Sequence, residues 1–238
     1  MTTKLWALSS ARTHEKDVAL QDSSAEDRLA TIIGDLPRDS LVVDYGCYGW
    51  QAAHIAARIG RGDLRHIGID LHQEPPERPL GAEFRLLTAI GGPLPPLQAD
   101  LIVATHVIEH CSDAVSVFGT MIAAVKPGAC VYIETPSEHT ALLRSDPDVE
   151  GHAFTNFWDD PTHVRPWPLA ALYRLALSWG ARPEDLCHAD RGGIHCSTAL
   201  IRRIDPDVPR YRYVSLADVP RGVAAALDHV NRQARPTE

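Results

Sequence analysis

The chain has 238 residues, 45% of them apolar and 23% charged, with a formal net charge of −8. That length suits one large α/β domain with a sizeable core, and the composition is that of an ordinary soluble globular protein. The acidic balance argues against a nucleic-acid backbone as the main partner. Cys47, Cys111, Cys130, Cys187 and Cys196 are scattered, odd in number and without a CxxC pair. They fit reduced thiols in a cytoplasmic protein better than a disulfide framework or a structural zinc site. No basic segment leads into an apolar run at the N-terminus, and no apolar stretch approaches about twenty residues, so neither a signal peptide nor a membrane span is expected.

In chain order, residues 1–22 read as a polar arm. Ser23-Ser24 caps a helix over Ala25 to Gly34, with Leu29, Ile32, Ile33 and Leu36 on its apolar side. Pro37-Arg38-Asp39 turns into a first strand, Leu41 to Tyr45. A helix from Gln51 to Ile59 follows, with Ala52, Ile55, Ala56 and Ile59 at helical spacing, and it stops at Gly60-Arg61-Gly62. Further strands are expected at Arg65–Asp70, Glu83–Thr88 and Ala99–Thr105. A helix over Val115–Val125 ends at Lys126-Pro127-Gly128, before a fifth strand at Ala129–Glu134.

From Thr135 to Pro166 the alternation breaks. A stretch of that length reads as a functional insertion on the substrate side. A helix over Leu169–Gly180, a strand at Glu184–Ala189 and a last strand at His195–Ile204 complete the domain, taken as residues 23–205. The tail, 206–238, carries one helix at about Pro220–Gln233. Strands alternating with helices predict a parallel sheet covered on both faces, with a ligand at the strands' C-terminal edge.

Two of these strands end in acids, Asp44 and Asp70, at the spacing of a nucleoside site. The turn after Asp44 contains glycines and opens a helix, so a cofactor can lie on exposed backbone N–H groups there. An acid such as Asp70 can accept both ribose hydroxyls.

Four segments in order, LVVDYGCYGW, the acid Asp70, ADLIVATHVIEHCSD and VKPGACVYIETPS, resemble the class I S-adenosylmethionine-dependent methyltransferases. They cover Leu41 to Ser137. A fifth segment, FWDDPTHVRPW from Phe157 to Trp167, is similar to a subset of these enzymes found in polysaccharide or natural-product gene clusters. The resemblance implies a Rossmann-like, doubly wound α/β fold: a seven-stranded sheet, mostly parallel with an antiparallel last strand, and helices on both faces. It implies that Asp44, Gly46, Cys47 and Gly49 line the amino-acid half of the cofactor. Asp70 with Leu71 takes the ribose, Thr88-Ala89-Ile90 lies near adenine, and Thr105 and His106 sit beside the sulfonium. The turn departs from the family's D-x-G-x-G-x-G, with Tyr48 and Trp50 at the second and third glycine positions. Tyr45, Tyr48 and Trp50 either pack on the cofactor or fill the helix–sheet seam. The acid common near adenine is absent.

His106-Val107-Ile108-Glu109-His110 is the richest chemical cluster. Were it helical, His106, Glu109 and His110 would share one face. A His there is a candidate general base for a hydroxyl acceptor. With His163 the set is alternatively a divalent-metal site (magnesium) lowering an acceptor hydroxyl's pKa. A metal-dependent RNA methyltransferase group carries a similar acid-x-x-Glu-His segment, with His106 here in place of the acid. In a third, structural reading the Glu-His pair caps the next helix. In the insertion, Trp158, Asp160 and Arg165 are candidates for holding a sugar or nucleotide-sugar, with His163 handling a proton. Otherwise the loop is stapled by its own hydrogen bonds, Asp160 capping a turn and Trp167 in the core.

The expectation is thus a methyltransferase acting on a small-molecule hydroxyl, most naturally a sugar, with His110 and His163 moving the proton and His106 and Glu109 orienting or ligating. A homodimer is possible on this reading. Its rivals are an N-methyltransferase on an amino sugar or amine, a metal-dependent RNA-end enzyme, and a non-catalytic partner-binding domain of the same fold.

Overall fold

A computed structural model describes residues 24–72, 77–89, 91–145 and 156–204. The expected arm, the tail with its helix, and the middle of the insertion lie outside the described residues.

Seven strands form one sheet in the order β3-β2-β1-β4-β5-β7-β6. They are β1 Leu41–Tyr45, β2 Arg65–Asp70, β3 Glu83–Leu86, β4 Ala99–Thr105, β5 Val125–Pro136, β6 Ala181–Arg191 and β7 Ile194–Arg203. β1 to β5 pair in parallel, and β7 runs antiparallel to both β5 and β6. The helices are α1 Ala25–Gly34, α2 Gln51–Arg58, α3 Ala114–Ala124 and α4 Leu169–Ser178.

The central strands are sunk on both faces, which is why Leu41-Val42-Val43 and Leu101-Ile102-Val103 read as unbroken apolar runs. On one face Leu29 and Ile33 of α1 and Ala52, Ile55 and Ala56 of α2 pack on Val42, Leu101 and Tyr132. On the other, Val117, Phe118 and Met121 of α3 and Leu172 and Leu175 of α4 pack on Val43, Ile102 and Val131. Side chains that alternate along one strand therefore feed two separate cores.

Helix ends follow local chemistry. The Ser24 hydroxyl accepts from the Asp27 N–H at 3.0 Å, and the Asp113 carboxylate accepts from the Ser116 N–H at 3.1 Å. Several boundaries differ from expectation. β3 stops at Leu86, leaving Thr88 exposed beyond the sheet edge. β5 starts at Val125, because Lys126-Pro127-Gly128 passes through a register shift against β4 rather than forming a separate turn. β6 runs longer than expected; Pro183 is accommodated by a register shift on this edge strand.

β2 and β3 lie to one side of β1, and β4 to the other. The chain therefore reverses its winding between β1 and β4, and the C-terminal ends of β1, β2 and β4 open onto a shared crevice.

Candidate functional site

A cavity of about 390 Å³ occupies that crevice, lined by Tyr45, Gly46, Asp70, Leu71, His106 and Val107, among others. Gly46 is left-handed (φ +75°), and a Cβ there would come within 2.5 Å of a Val107 methyl. Only glycine lets the turn pass so close to the cavity wall. Asp70 is buried at the end of β2, and its Oδ1 accepts from the His72 N–H at 3.0 Å. The carboxylate edge and the apolar faces of Tyr45, Leu71 and Leu87 together give the mixed wall that a nucleoside needs.

A second cavity of about 470 Å³ adjoins it, lined by Pro136, Thr140, Asn156, Phe157, Asp160 and His163, with Ile194 at its rim. Tyr48, His106 and His110 belong to the walls of both cavities. Three side chains thus stand between the crevice at the strand ends and a space built partly from the insertion.

His106 directly follows β4 in a left-handed conformation (φ +54°), and its N–H donates to the Glu134 carbonyl at 2.8 Å. A non-glycine residue in that region is strained, and the surroundings have to hold it there. They do so through two fully buried carboxylates. His106 Nδ1 is 3.2 Å from Glu109, and Nε2 is 3.5 Å from Glu134. Burial alone would push the imidazole's pKa down. Hydrogen bonding with Cys196, Glu109 and Glu134 overrides burial and sets the pKa well above the ordinary value, so His106 is an imidazolium at neutral pH. Glu134 is itself paired with Arg191, whose Nη2 donates to Oε2 at 2.8 Å. Against the cost of burial, His106 and Arg191 hold its pKa at about 2.

His110 faces a different set of partners. Its Nδ1 is 2.8 Å from the Thr162 hydroxyl, which donates its one hydrogen to Asp160 Oδ1 at 2.6 Å. With that hydrogen committed, the hydroxyl accepts from His110 Nδ1–H, and Nε2 carries the lone pair. The His163 ring packs between His110 and Phe157, with centroids 4.7 and 4.3 Å away. Its Nδ1 donates to the Phe157 carbonyl at 2.6 Å, and Nε2 is 3.8 Å from Asp160. The loop is tied down beside this group: the Val164 N–H donates to the Glu109 carbonyl at 2.7 Å and the Trp167 Nε1–H to Ile108 at 3.3 Å.

Other residues fall elsewhere than expected. Residues 106–110 are not one helix; only Ile108–His110 forms a single 3-10 turn, so His106 and His110 diverge. Asp44 turns inward and accepts from the N–H groups of Ala52 and Ala53 at 3.0 and 3.3 Å, capping α2 instead of lining the cavity. Burial raises its pKa to about 6, against the lowering pull of those two donors. Trp50 is buried in the helix–sheet seam with Cys47 and Ala53, so of the two readings for this aromatic the seam holds. Tyr48, in contrast, is 79% exposed at the cavity mouth. Gly49 stands against Gln51, away from the cavity.

Thr88 and Ala89 are exposed and line neither cavity; Leu87 takes that place, and Ile90 lies outside the described residues. The Thr105 hydroxyl is buried without a hydrogen-bond partner and does not reach the cavity wall. Trp158 is half exposed, and Arg165 lies over the Trp167 ring at 4.1 Å; neither lines either cavity. Asp160 turns out to organise Thr162, so the loop is indeed stapled by its own hydrogen bonds while still forming a wall of the second cavity. The four residues named as alternative metal ligands do not all converge. Glu109, His110 and His163 offer donor atoms within 4.8 Å of one another, whereas His106 groups with Glu134 and Cys196. Sequence reading missed Thr162, Glu134 and Arg191. The one available signal was Glu134, a lone acid inside the apolar run Val131-Tyr132-Ile133.

The family model described as a methyltransferase domain matches residues 18–184. Among solved structures, the chain resembles the 1,6-didemethyltoxoflavin-N1-methyltransferase of Burkholderia thailandensis, crystallised with bound 1,6-didemethyltoxoflavin and S-adenosylhomocysteine. The TM-score is 0.56 at 18% identity, covering 83% of this chain and 86% of that one. It also resembles S-adenosylmethionine-dependent methyltransferases of Archaeoglobus fulgidus (TM-score 0.54, 17% identity, 74% and 92% covered) and Aquifex aeolicus (0.53, 15%, 80% and 98%). No curated protein matches the chain in sequence. At these identities the structures speak for the fold alone, but the family model spans well over half of the sequence, and the chain belongs to the methyltransferase-domain family.

Proposed function

We propose that the chain transfers a methyl group from S-adenosylmethionine to a hydroxyl of a small polar molecule, a sugar in first place. The first cavity supports that reading: Asp70 at its edge would take the ribose, Gly46 leaves room at the turn, and Tyr45, Leu71 and Leu87 offer apolar surface. When bound, the cofactor supplies a methyl made electrophilic by its sulfonium. The chain's own task is to align the acceptor and to take its proton.

The observation that carries this reading is His110. It belongs to both cavities, and the Asp160–Thr162 pair fixes its tautomer so that Nε2 is the basic atom. With the cofactor bound, its methyl would leave the sulfur for the acceptor oxygen, S-adenosylhomocysteine being the leaving group, and His110 Nε2 would take the hydroxyl proton. His163 acts as a positioning residue, holding the His110 ring by contact while its own Nδ1 is committed to a backbone carbonyl. His106, already protonated and clasped by Glu109 and Glu134, orients the wall rather than accepting a proton. Thr140, Asn156 and Asp160 give the acceptor cavity hydrogen-bonding groups beside the flat Phe157 ring, a mixture that suits a sugar face.

The test is calorimetric titration with S-adenosylmethionine and S-adenosylhomocysteine, then a turnover screen over sugars, nucleotide-sugars and amines. Micromolar cofactor binding with methylated hydroxyl products supports the reading. A neutral amine needs no base. Turnover on amines that survives His110→Gln would move the assignment to N-methylation, and failure to bind the cofactor would leave a non-catalytic domain.

A further inference from the structure

Outside the lining of either cavity, the turn after β5 and the β6–β7 hairpin bring together Glu138, His139, His188 and His195. The three imidazole centroids lie 5.0–5.4 Å apart in every pairing. His188 Nε2 is 3.7 Å from Glu138, and one donor atom each from Glu138, His139 and His188 fall within 4.8 Å of one another. Ligand atoms about 2.0–2.1 Å from a tetrahedral zinc stand about 3.3 Å from each other, so the donors of Glu138, His139 and His188 are within about 1.5 Å of that spacing, and the His195 ring stands beside them.

We propose that these four residues form a site for a borderline transition-metal cation, Zn²⁺ before Ni²⁺ or Cu²⁺. Three imidazoles and one carboxylate are the donor set such ions take, while Mg²⁺ prefers oxygen alone. The surroundings orient the rings as ligands. His195 Nδ1 is 2.7 Å from the Ser137 hydroxyl, and His188 Nδ1 is 3.5 Å from that of Ser197. With each Nδ1–H donating to its hydroxyl, Nε2 presents a lone pair, the outer arrangement that metal-bound histidines show. Ser197 also donates to Glu138 Oε2 at 3.3 Å, linking the carboxylate to the same support.

The ligands come from separate pieces of chain. Glu138 and His139 open the Glu138–Leu142 turn, His188 lies on β6, and His195 on β7. A bound ion would clamp that turn to the hairpin. Thr140 and Ile194, next to two of the ligands, line the acceptor cavity, so the clamp would fix the geometry of one of its walls. The site is independent of the methyl-transfer reading.

The experiment is titration of tag-free, chelator-dialysed protein with Zn²⁺ against a competing chelating dye, with Co²⁺ as a spectroscopic stand-in. One equivalent of Zn²⁺ is expected, with tetrahedral Co²⁺ absorption and a melting temperature that rises with Zn²⁺. His139→Ala and His188→Ala each remove a ligand and weaken binding by roughly a hundredfold or more, at or beyond the upper end of what loss of an outer hydrogen-bond partner costs. His139 is exposed, so its replacement leaves the core intact. His110→Ala leaves Zn²⁺ binding unchanged. Absence of stoichiometric binding overturns the proposal. So does binding that survives His139→Ala and His188→Ala but is lost in His110→Ala, which would place the ion at Glu109, His110 and His163.

Discussion

His106 is gripped twice by Glu134: its N–H donates to the Glu134 carbonyl at 2.8 Å, and its Nε2 lies 3.5 Å from the same residue's carboxylate. A strained backbone and a buried cation are thus fixed by one residue across the β4–β5 pair, at the register position facing Thr105. Glu109 and Arg191 complete a set of two acids and two bases, so the charge is balanced inside the protein.

The His106 ring is therefore expected to stay protonated at pH 7.5. Nitrogen-15 NMR of its ring would show both nitrogens carrying protons; a ring that is neutral at pH 7 would refute the charged clasp. The raised folded pKa of His106 adds stability that is complete below about pH 6.5 and lost as pH rises through the folded value. The lowered pKa of Glu134 adds stability present above about pH 4.5 and lost as pH falls through about 2. Glu134→Gln removes the Glu134 contribution and one of the two acids that hold His106, leaving Arg191 facing a neutral amide while Glu109 still pairs with His106. Chemical denaturation should show a loss of about 3–5 kcal/mol near pH 6.

Asp44 should behave in the opposite sense. Its folded pKa of about 6 stands above the ordinary carboxylate value of 3.8. Its contribution is most favourable below about pH 4, and stability is lost as pH rises through 6. Asp44→Asn keeps an acceptor for the α2 N–H groups and abolishes the buried charge. Its stability at pH 8 should exceed that of the parent by about 1–3 kcal/mol, and the gain should vanish below pH 4. Urea unfolding at the two pH values measures both; a variant less stable at pH 8 would show that the carboxylate is needed charged.

Asp70→Ala should weaken S-adenosylmethionine binding by about ten- to a hundredfold, the worth of charged hydrogen bonds to two hydroxyls. Calorimetry gives the dissociation constant directly. An unchanged constant removes the ribose role.

His110→Gln should lower turnover by about 10²–10⁴-fold with cofactor binding nearly intact. Thr162→Val should lower it less and change the pH profile, because the tautomer is no longer set by Asp160. His163→Ala should leave cofactor binding nearly intact and reduce turnover through a looser His110. Equal turnover in all three variants would remove the base from this edge of the sheet.

Much of the fold could be read in the sequence because β1, β2 and β4 are buried on both faces, and such strands leave unbroken apolar runs that end in polar residues at the ligand edge. The strand ends Asp70 and Thr105 fall at the expected residues for that reason. Strand boundaries at Pro127 and Pro183 were less legible, because a proline in a register shift looks like a proline in a turn. The candidate site was readable only in part. His106 and Glu109 are neighbours in the chain and in space, but Glu134, Arg191 and Thr162 reach the site from strands and loops far away in sequence, and no local pattern announces their pairing. Asp44 misled for a related reason: an acid after β1 can face the cavity or the helix N-terminus, and the direction depends on a side-chain rotation that sequence spacing does not encode.

The seam under α2 shows how the turn dispenses with two glycines. Trp50 lies so close to Gly68 that a Cβ on Gly68 would fall 2.3 Å from the indole ring. Bulk at position 50 and vacancy at position 68 are thus one property shared by two places, a size exchange across the strand–helix interface. Homologues with glycine at 50 should tolerate alanine or larger at 68, and those with an aromatic at 50 should not. A search that scores the turn by its glycines alone will therefore overlook chains that moved the missing volume one strand over.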